Sequence, residues 1–294
     1  MIPAASYAPP LADGDVAAYD AGAVPHYVRF FDALCASLIV PRAGMRVAVF
    51  GCRTGAAHDA IAARLGSGDA LVGLDPSEPA LWAARLRDAA PGLSIAYEHA
   101  PTTGSPLDAS AFTHAVALHP MGAPEQRAAL FAEMRRVLQP GGQAVVAMPV
   151  RGSFPELLDL VREFALKHDK PAVTTAADRC AASRVSIETL ASDLEEAGFT
   201  DVDVDVQLLA VPFPSGKAFA RSPVARLVAG PDLGALLDVD PALRERATTY
   251  AAEAVGKYWS ESGFELAVNL GGASGWVPGE PPRHSIPPVE RTGG

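Results

Sequence analysis

RVAVFGCRTGAAHDAIAARL, residues 46–65, sets a short apolar run against a turn with two glycines and then a stretch of helical character. A strand that is apolar throughout is buried on both faces, which is the mark of a parallel sheet covered by helices. Gly51 and Gly55 let the backbone turn tightly and approach a bound group, while the helix that follows offers free N–H groups and a positive dipole end. Asp75 stands twenty residues beyond Gly55, where a second apolar run, ALVGL (70–74), ends. A carboxylate at that place can accept hydrogen bonds from both hydroxyls of a ribose. The same residues also allow a plainer arrangement, in which the glycines only turn the chain and Asp75 caps the helix after Pro76 and Ser77.

Working outward, the runs at 93–97 (LSIAY), 113–118 (THAVAL) and 143–148 (QAVVAM) read as further strands, separated by helical stretches at 56–65, 78–88 and 124–138. A helix with Pro25 in its first turn and Val28, Phe31, Leu34, Cys35 and Leu38 on one stripe precedes them all. This alternation predicts right-handed βαβ units. Beyond residue 150, Ser153 and Glu156 form a capping-box pattern opening a helix to about 168, and a second helix, 188–197, stops at Gly198. The run 200–211 alternates Val202, Val204 and Val206 with Asp201, Asp203 and Asp205, a strand with one wet face. Asp240 and Pro241 open a helix carrying Leu243, Ala247, Tyr250, Ala254 and Tyr258, and 264–270 alternates again as a last strand. The expectation is an α/β protein: a doubly wound, mostly parallel seven-stranded sheet with an antiparallel edge strand and helices on both faces. Residues 1–24 read as an N-terminal arm, 25–276 as the α/β domain with a helical insertion at about 213–262, and the proline-rich 277–294 as a disordered tail.

Composition narrows the function. Of 294 residues, 49% are hydrophobic and 20% charged, which suits a packed soluble fold. With 24 Lys and Arg against 34 Asp and Glu, the net charge of −10 repels phosphate backbones and argues against nucleic-acid or membrane partners. Cys35, Cys52 and Cys180 are widely spaced, so neither a disulfide framework nor a metal site is expected, and a reducing cytoplasm fits. Residues 1–11 have no basic segment and no apolar run, and no stretch of about 18 apolar residues occurs, so neither a signal peptide nor a membrane span is expected.

EMRRVLQPGG at 133–142, followed by QAVVAM, resembles the helix, Pro-Gly-Gly turn and fifth strand of class I S-adenosylmethionine-dependent methyltransferases; VGLDPSEPALWAARLR at 72–87 is similar to their second strand, with its acid in the ribose position. The likeness covers roughly residues 15–150, and the last two strands loosely. It implies a Rossmann-like fold, S-adenosylmethionine as cofactor, and a site drawn from Gly51, Cys52, Arg53, Gly55, Asp75, Pro76, Pro101 and Leu118. A nicotinamide dehydrogenase is a poorer match, because GCRTGAA lacks GxGxxG. The chain also departs from the family. An apolar residue, near Ala48 or Val49, replaces the usual acid of the first strand, and Arg53 replaces the middle glycine. The acid that often holds the adenine falls near Pro101, and Phe112-Thr113 stands for Phe-Asp. Each lost hydrogen bond is worth about 0.5–1.5 kcal/mol, so two or three would move a micromolar site toward millimolar.

Arg53 has three readings: a fork to the cofactor carboxylate, a side chain filling the ribose site against Asp75, or a side chain in water. His119, just after the fourth strand, is the candidate general base; an ordinary loop histidine is the plain alternative. Tyr19, His26 and Tyr27 precede the first strand, in a segment that in similar proteins closes over the site, although helix packing also accounts for Tyr27. Cys52 beside a helix N-terminus has a reason for a lowered pKa, yet packing is the simpler role. Asp201, Asp203 and Asp205 fail as a calcium loop, since Val206 and Pro212 occupy the required glycine and glutamate positions. Ser105 and Ser215 lack a nucleophile elbow. Tyr250, Tyr258 and Trp259 read as helix core rather than pocket lining. Two functions follow: a methyltransferase acting on a small-molecule acceptor, or an inactive module of the same fold that binds a protein partner.

Overall fold

A computed structural model describes residues 10–56, 59–87, 92–118 and 124–279. The sheet consists of β1 (Arg46–Phe50), β2 (Ala70–Asp75), β3 (Ser94–His99), β4 (Phe112–Leu118), β5 (Leu138–Pro149), β6 (Thr200–Phe213) and β7 (Phe264–Trp276). Their order across the sheet is β3-β2-β1-β4-β5-β7-β6. The first five strands run parallel, and β7 lies antiparallel to both β5 and β6. The strand order reverses between β1 and β4, neighbours in space though not in sequence, and ligands of doubly wound sheets bind at the carboxyl ends of such a switch point.

The strands carry two cores because their residues alternate faces. Val47 and Val49 of β1 join one buried cluster, together with Phe31, Leu34 and Cys35 from α2 (Arg29–Leu38), Ile61 from α3 (Asp59–Ala62), and Ala80 and Leu81 from α4 (Glu78–Arg85). Ala48 and Phe50 join the other, with Leu130, Phe131 and Met134 from α5 (Pro124–Val137) and Leu190 and Leu194 from α8 (Ile187–Glu196). The Pro-Gly-Gly residues 140–142 do not form a turn ahead of the fifth strand but lie within β5, near its start: Gly141 N–H donates to the Val277 carbonyl at 3.0 Å, and Arg42 donates to Gly141 O at 3.2 Å. Glu133 and Arg136 of α5 clamp the loop before β4. Ser105 N–H and Oγ both donate to Glu133, and Arg136 donates to Leu107 O at 2.8 Å.

Three local expectations are corrected. The first helix does not open at Pro25. Instead α1 (Asp13–Ala18), a π-helical segment Tyr19–Val28 and α2 form one unbroken run from Asp13 to Leu38, with Pro25 inside the π-helical turns. Ser153 does not cap α6 (Pro155–Lys167). The preceding residue of that helix, Phe154, is left-handed at φ +59°, and the Ser153 hydroxyl donates to Val150 O instead. Tyr258 is exposed rather than core, and it shares the Glu163 carboxylate with Tyr250, while Trp259 packs on Phe264 with ring centroids 5.4 Å apart. Between α6 and α8 lies α7 (Pro171–Ser183). The stretch between β6 and β7 holds α9 (Gly216–Ala220), α10 (Gly230–Leu236) and α11 (Pro241–Tyr258). Asp240 caps α11 as expected, its Oδ1 accepting from Ala242 and Leu243 N–H. The side chains of Asp201, Asp203 and Asp205 face solvent on β6.

Candidate functional site

Where β1 ends, the chain reverses with left-handed backbone at Gly51 (φ +75°), Arg53 (φ +51°) and Gly55 (φ +68°). Glycine adopts that region freely, but for Arg53 it costs roughly 1–2 kcal/mol. The turn is pinned to the end of β2: the amides of Gly51 and Cys52 both donate to Leu74 O at 2.9 Å, and Gly55 N–H donates to Cys52 O at 3.0 Å. A Cβ on Gly55 would stand 2.6 Å from the Tyr97 hydroxyl, so no larger residue fits there without displacing Tyr97.

Asp75 lies directly under this turn and is 1% exposed. Its Oδ2 accepts the Arg53 amide at 2.9 Å, and its Oδ1 accepts the Ser77 amide at 2.8 Å. An ionised carboxylate has about four lone-pair sites, so the capping and ligand-binding readings of Asp75 coexist. Burial raises its pKa, opposed by the Arg53 charge and then by the two amides. The hydrogen bond between Arg53 and Asp75 is thus made by the backbone, while the guanidinium acts on Asp75 through its charge. Cys52 is pressed against Gly73, and burial pushes its thiol well above the ordinary range; desolvation outweighs any help from the following helix.

The N-terminal helical run lies against the turn. Tyr19 is buried, and its phenol is raised by burial within the fields of Arg53, Asp75, Asp20 and Asp32. Asp20 accepts from the Thr54 hydroxyl and from Arg87 Nη2 at 2.8 Å, and Arg87 Nε donates to Thr54 O at 2.8 Å. Ser77 Oγ donates to Leu11 O at 2.8 Å. Tyr27 packs on Phe31 and Phe154, with centroids 4.9 and 6.4 Å away, whereas His26 is exposed.

One acid escaped the sequence reading. Asp32 of α2 is 4% exposed; its Oδ2 accepts Ala60 N–H of α3 at 3.2 Å, and its Oδ1 has no partner among the described residues. Burial drives its pKa up to about 8, against the Ala60 amide and helped by the Asp59 charge. The available signal was Asp32's place at the border of the apolar stripe of α2, next to Phe31 and three residues before Cys35.

The structure therefore brings Gly51, Cys52, Arg53, Gly55, Asp75 and Pro76 together. Pro101 is exposed just after Ala100, whose N–H donates to Asp75 O at 3.2 Å, and Leu118 is buried at the end of β4, beside the end of β1. His119 lies outside the described residues. Among the described residues no group of three or more His, Cys, Asp or Glu could hold a metal ion, and no helix is long and apolar enough to cross a membrane.

Residues 47–142 match the family described as a methyltransferase domain. No curated protein matches the chain. Among solved structures, phosphoethanolamine N-methyltransferase 2 of Haemonchus contortus with phosphomonomethylethanolamine and S-adenosylhomocysteine is similar over 90% of this chain and 57% of that one, at 14% identity and a TM-score of 0.52. The same enzyme with S-adenosyl-L-methionine is similar over 91% of this chain and 57% of that one, at 14% identity and a TM-score of 0.51. This chain thus spans little more than half the length of that enzyme, and the likeness is one of fold. The YcgJ protein of Bacillus subtilis is similar over 85% of this chain and 98% of its own, at 12% identity and a TM-score of 0.49.

Proposed function

Because residues 47–142 carry the methyltransferase domain of the class I S-adenosylmethionine-dependent methyltransferase family, we propose that the chain binds S-adenosylmethionine at the carboxyl ends of β1, β2 and β4 and methylates a small-molecule acceptor. The observation that carries this reading is Asp75: a buried carboxylate fixed beneath a glycine turn by two amides, with lone pairs left for two ribose hydroxyls. Asp32 of α2, held to Ala60 N–H of α3, adds a second polar atom, Oδ1, that has no partner among the described residues. The residues present fit the cofactor.

When bound, the cofactor supplies a methyl group on a cationic sulfur that an acceptor can take by in-line displacement. In this reading the chain mainly aligns the reactants, which accounts for most of the gain in such a transfer. Gly51 and Gly55 give backbone access to the methionyl end, Arg53 sets the field at Asp75, and Tyr19 with the helical run keeps water from the turn. His119 is the proposed general base where the acceptor is a hydroxyl or a protonated amine. The net charge of −10 favours a small acceptor over nucleic acid, and the buried free thiols of Cys35, Cys52 and Cys180 suit a reducing cytoplasm.

Titration calorimetry with S-adenosylmethionine and S-adenosylhomocysteine tests this reading. Saturable micromolar binding that Asp75→Ala abolishes is the expected result; no heat at millimolar ligand would overturn it.

A further inference from the structure

Among the described residues four acids lie around the glycine turn and the start of α3, and three are accounted for. Asp75 is held by two amides and faces the ribose position, Asp20 is engaged by Thr54 and Arg87, and Asp59 is exposed. The strand entering the turn adds none, since Ala48 and Val49 are fully buried in the two apolar cores. Asp32 is left. Its carboxyl is buried, one oxygen takes the amide of Ala60 just beyond the turn, and the other has no partner among the described residues. None of the ion pairs formed among the described residues includes it.

We propose that Asp32 receives the α-ammonium group of the methionyl end of S-adenosylmethionine, an inference that rests on the cofactor reading above. An orphaned carboxylate oxygen needs a hydrogen-bond donor, and a cationic donor offsets the cost of burying the charge. The ammonium has three N–H donors; the sulfonium sulfur has none, so the ammonium is the matching half of the ligand. Position agrees: Asp32 Oδ2 holds the Ala60 N–H, five residues beyond Gly55, and the charges of Asp32 and Asp75 both bear on the buried Tyr19 phenol. Among the described residues, the titratable groups that act on or feel Asp32 are Asp59 from α3, Cys35 from its own helix, and Tyr19 from the π-helical segment. None of them supplies a cation. Burial pushes the Asp32 carboxyl up to about 8, which favours its neutral form in the free protein, and an arriving ammonium favours release of that proton to solvent.

Calorimetry of the full chain with three ligands decides it: S-adenosylmethionine, S-adenosylhomocysteine, and 5′-methylthioadenosine, which lacks the amino-acid end. Asp32→Asn is expected to weaken the first two by about ten- to a hundredfold and to leave the third within about twofold, the range of one hydrogen bond to a charged group. Equal losses for all three, a loss for the sulfonium ligand alone, or no loss would each overturn the proposal. Should the variant not fold, the wild type still answers. At pH 7 the binding heat of the two amino-acid ligands must vary with buffer ionisation enthalpy, reporting proton release, while that of 5′-methylthioadenosine must not; absence of release overturns the assignment. Wild type that binds none of the three refutes the cofactor reading itself, whereas wild type that binds with Asp32→Asn unchanged refutes only this inference.

Discussion

Arg87 closes on Asp20 with Nη2 2.8 Å from Oδ2, tying the chain just past α4 to the N-terminal helical run across the glycine turn. Both side chains are about a third exposed, at 34% and 29%, so salt screens the pair and its own worth is about 0–1 kcal/mol. Its importance is local, because the same Arg87 also holds Thr54 O. Arg87→Ala should move global stability by less than about 1 kcal/mol, yet accelerate amide hydrogen exchange across residues 19–28. Unchanged exchange there would show that apolar burial alone keeps the run in place.

Arg53 occupies a left-handed position, with φ +51°, that glycine fills without strain. Arg53→Gly removes roughly 1–2 kcal/mol of backbone strain but adds chain entropy to the unfolded state and removes a charge beside buried Asp75. Strain relief and lost entropy partly cancel, leaving a gain of about 0.5–1 kcal/mol, seen as a rise of about 2 °C in melting temperature. A fall instead would identify the guanidinium charge, which lowers the Asp75 pKa, as the larger effect.

What could be read beforehand follows from how local each signal is. Strands buried on both faces are continuously apolar, so β1, β2, β4 and the core of β5 stood out, and a glycine turn followed by Asp75 is a short-range pattern. Burial imposed by a distant element leaves no such trace. Asp32 looks like the wet edge of an amphipathic helix until α3 covers it. Ser153 and Glu156 have the spacing of a capping box, but Asn269 of β7 donates its N–H to Ser153 Oγ at 3.0 Å, and the left-handed Phe154 takes the cap position. Pro25 suits a first helical turn because it lacks an N–H, and nothing local announces that π-helical turns carry it mid-run. The helix α7 went unread, although Val173, Ala176, Ala177 and Cys180 recur at helical spacing and are all buried.

Two buried groups set opposite pH slopes. Burial, reinforced by the Arg42 charge against the Val40 carbonyl, lowers His114 to about 4. A depressed base binds fewer protons folded than unfolded, so its contribution is lost as pH falls from about 6.5 toward 4. Asp32, raised to about 8, behaves in the reverse sense: its neutral form is favoured folded, and stability declines as pH rises toward 8. Asp75 and Glu156, also raised by burial, act in that same direction. Below about 6.5 the two slopes oppose, and above it Asp32 dominates. Urea unfolding should therefore show wild type losing about 1–2 kcal/mol between pH 6.5 and 8, while Asp32→Asn stays nearly level and is the more stable protein at pH 8. A wild-type curve flat over that window would place Asp32 ionised in the free protein.

Arg184 and Asp232 face each other at 2.9 Å with both side chains 3% exposed, joining the end of α7 to α10 of the late helical insertion. Asp232 Oδ2 and the Arg184 Nε and Nη2 atoms lack a well-aligned hydrogen bond, although the guanidinium lies over the Phe154 ring at 4.8 Å. Such a pair has lost its hydration without gaining good geometry, so its net worth is small while either half alone is expensive. Arg184→Met should destabilise by about 3–5 kcal/mol, because it strands a carboxylate that also bears on the buried phenol of Tyr27. Adding Asp232→Leu should restore most of that loss, giving a strongly non-additive double-mutant cycle in urea unfolding. Additive losses would mean that the two residues stabilise the insertion separately, each through its own packing, and that the ion pair has no part in holding it over the sheet.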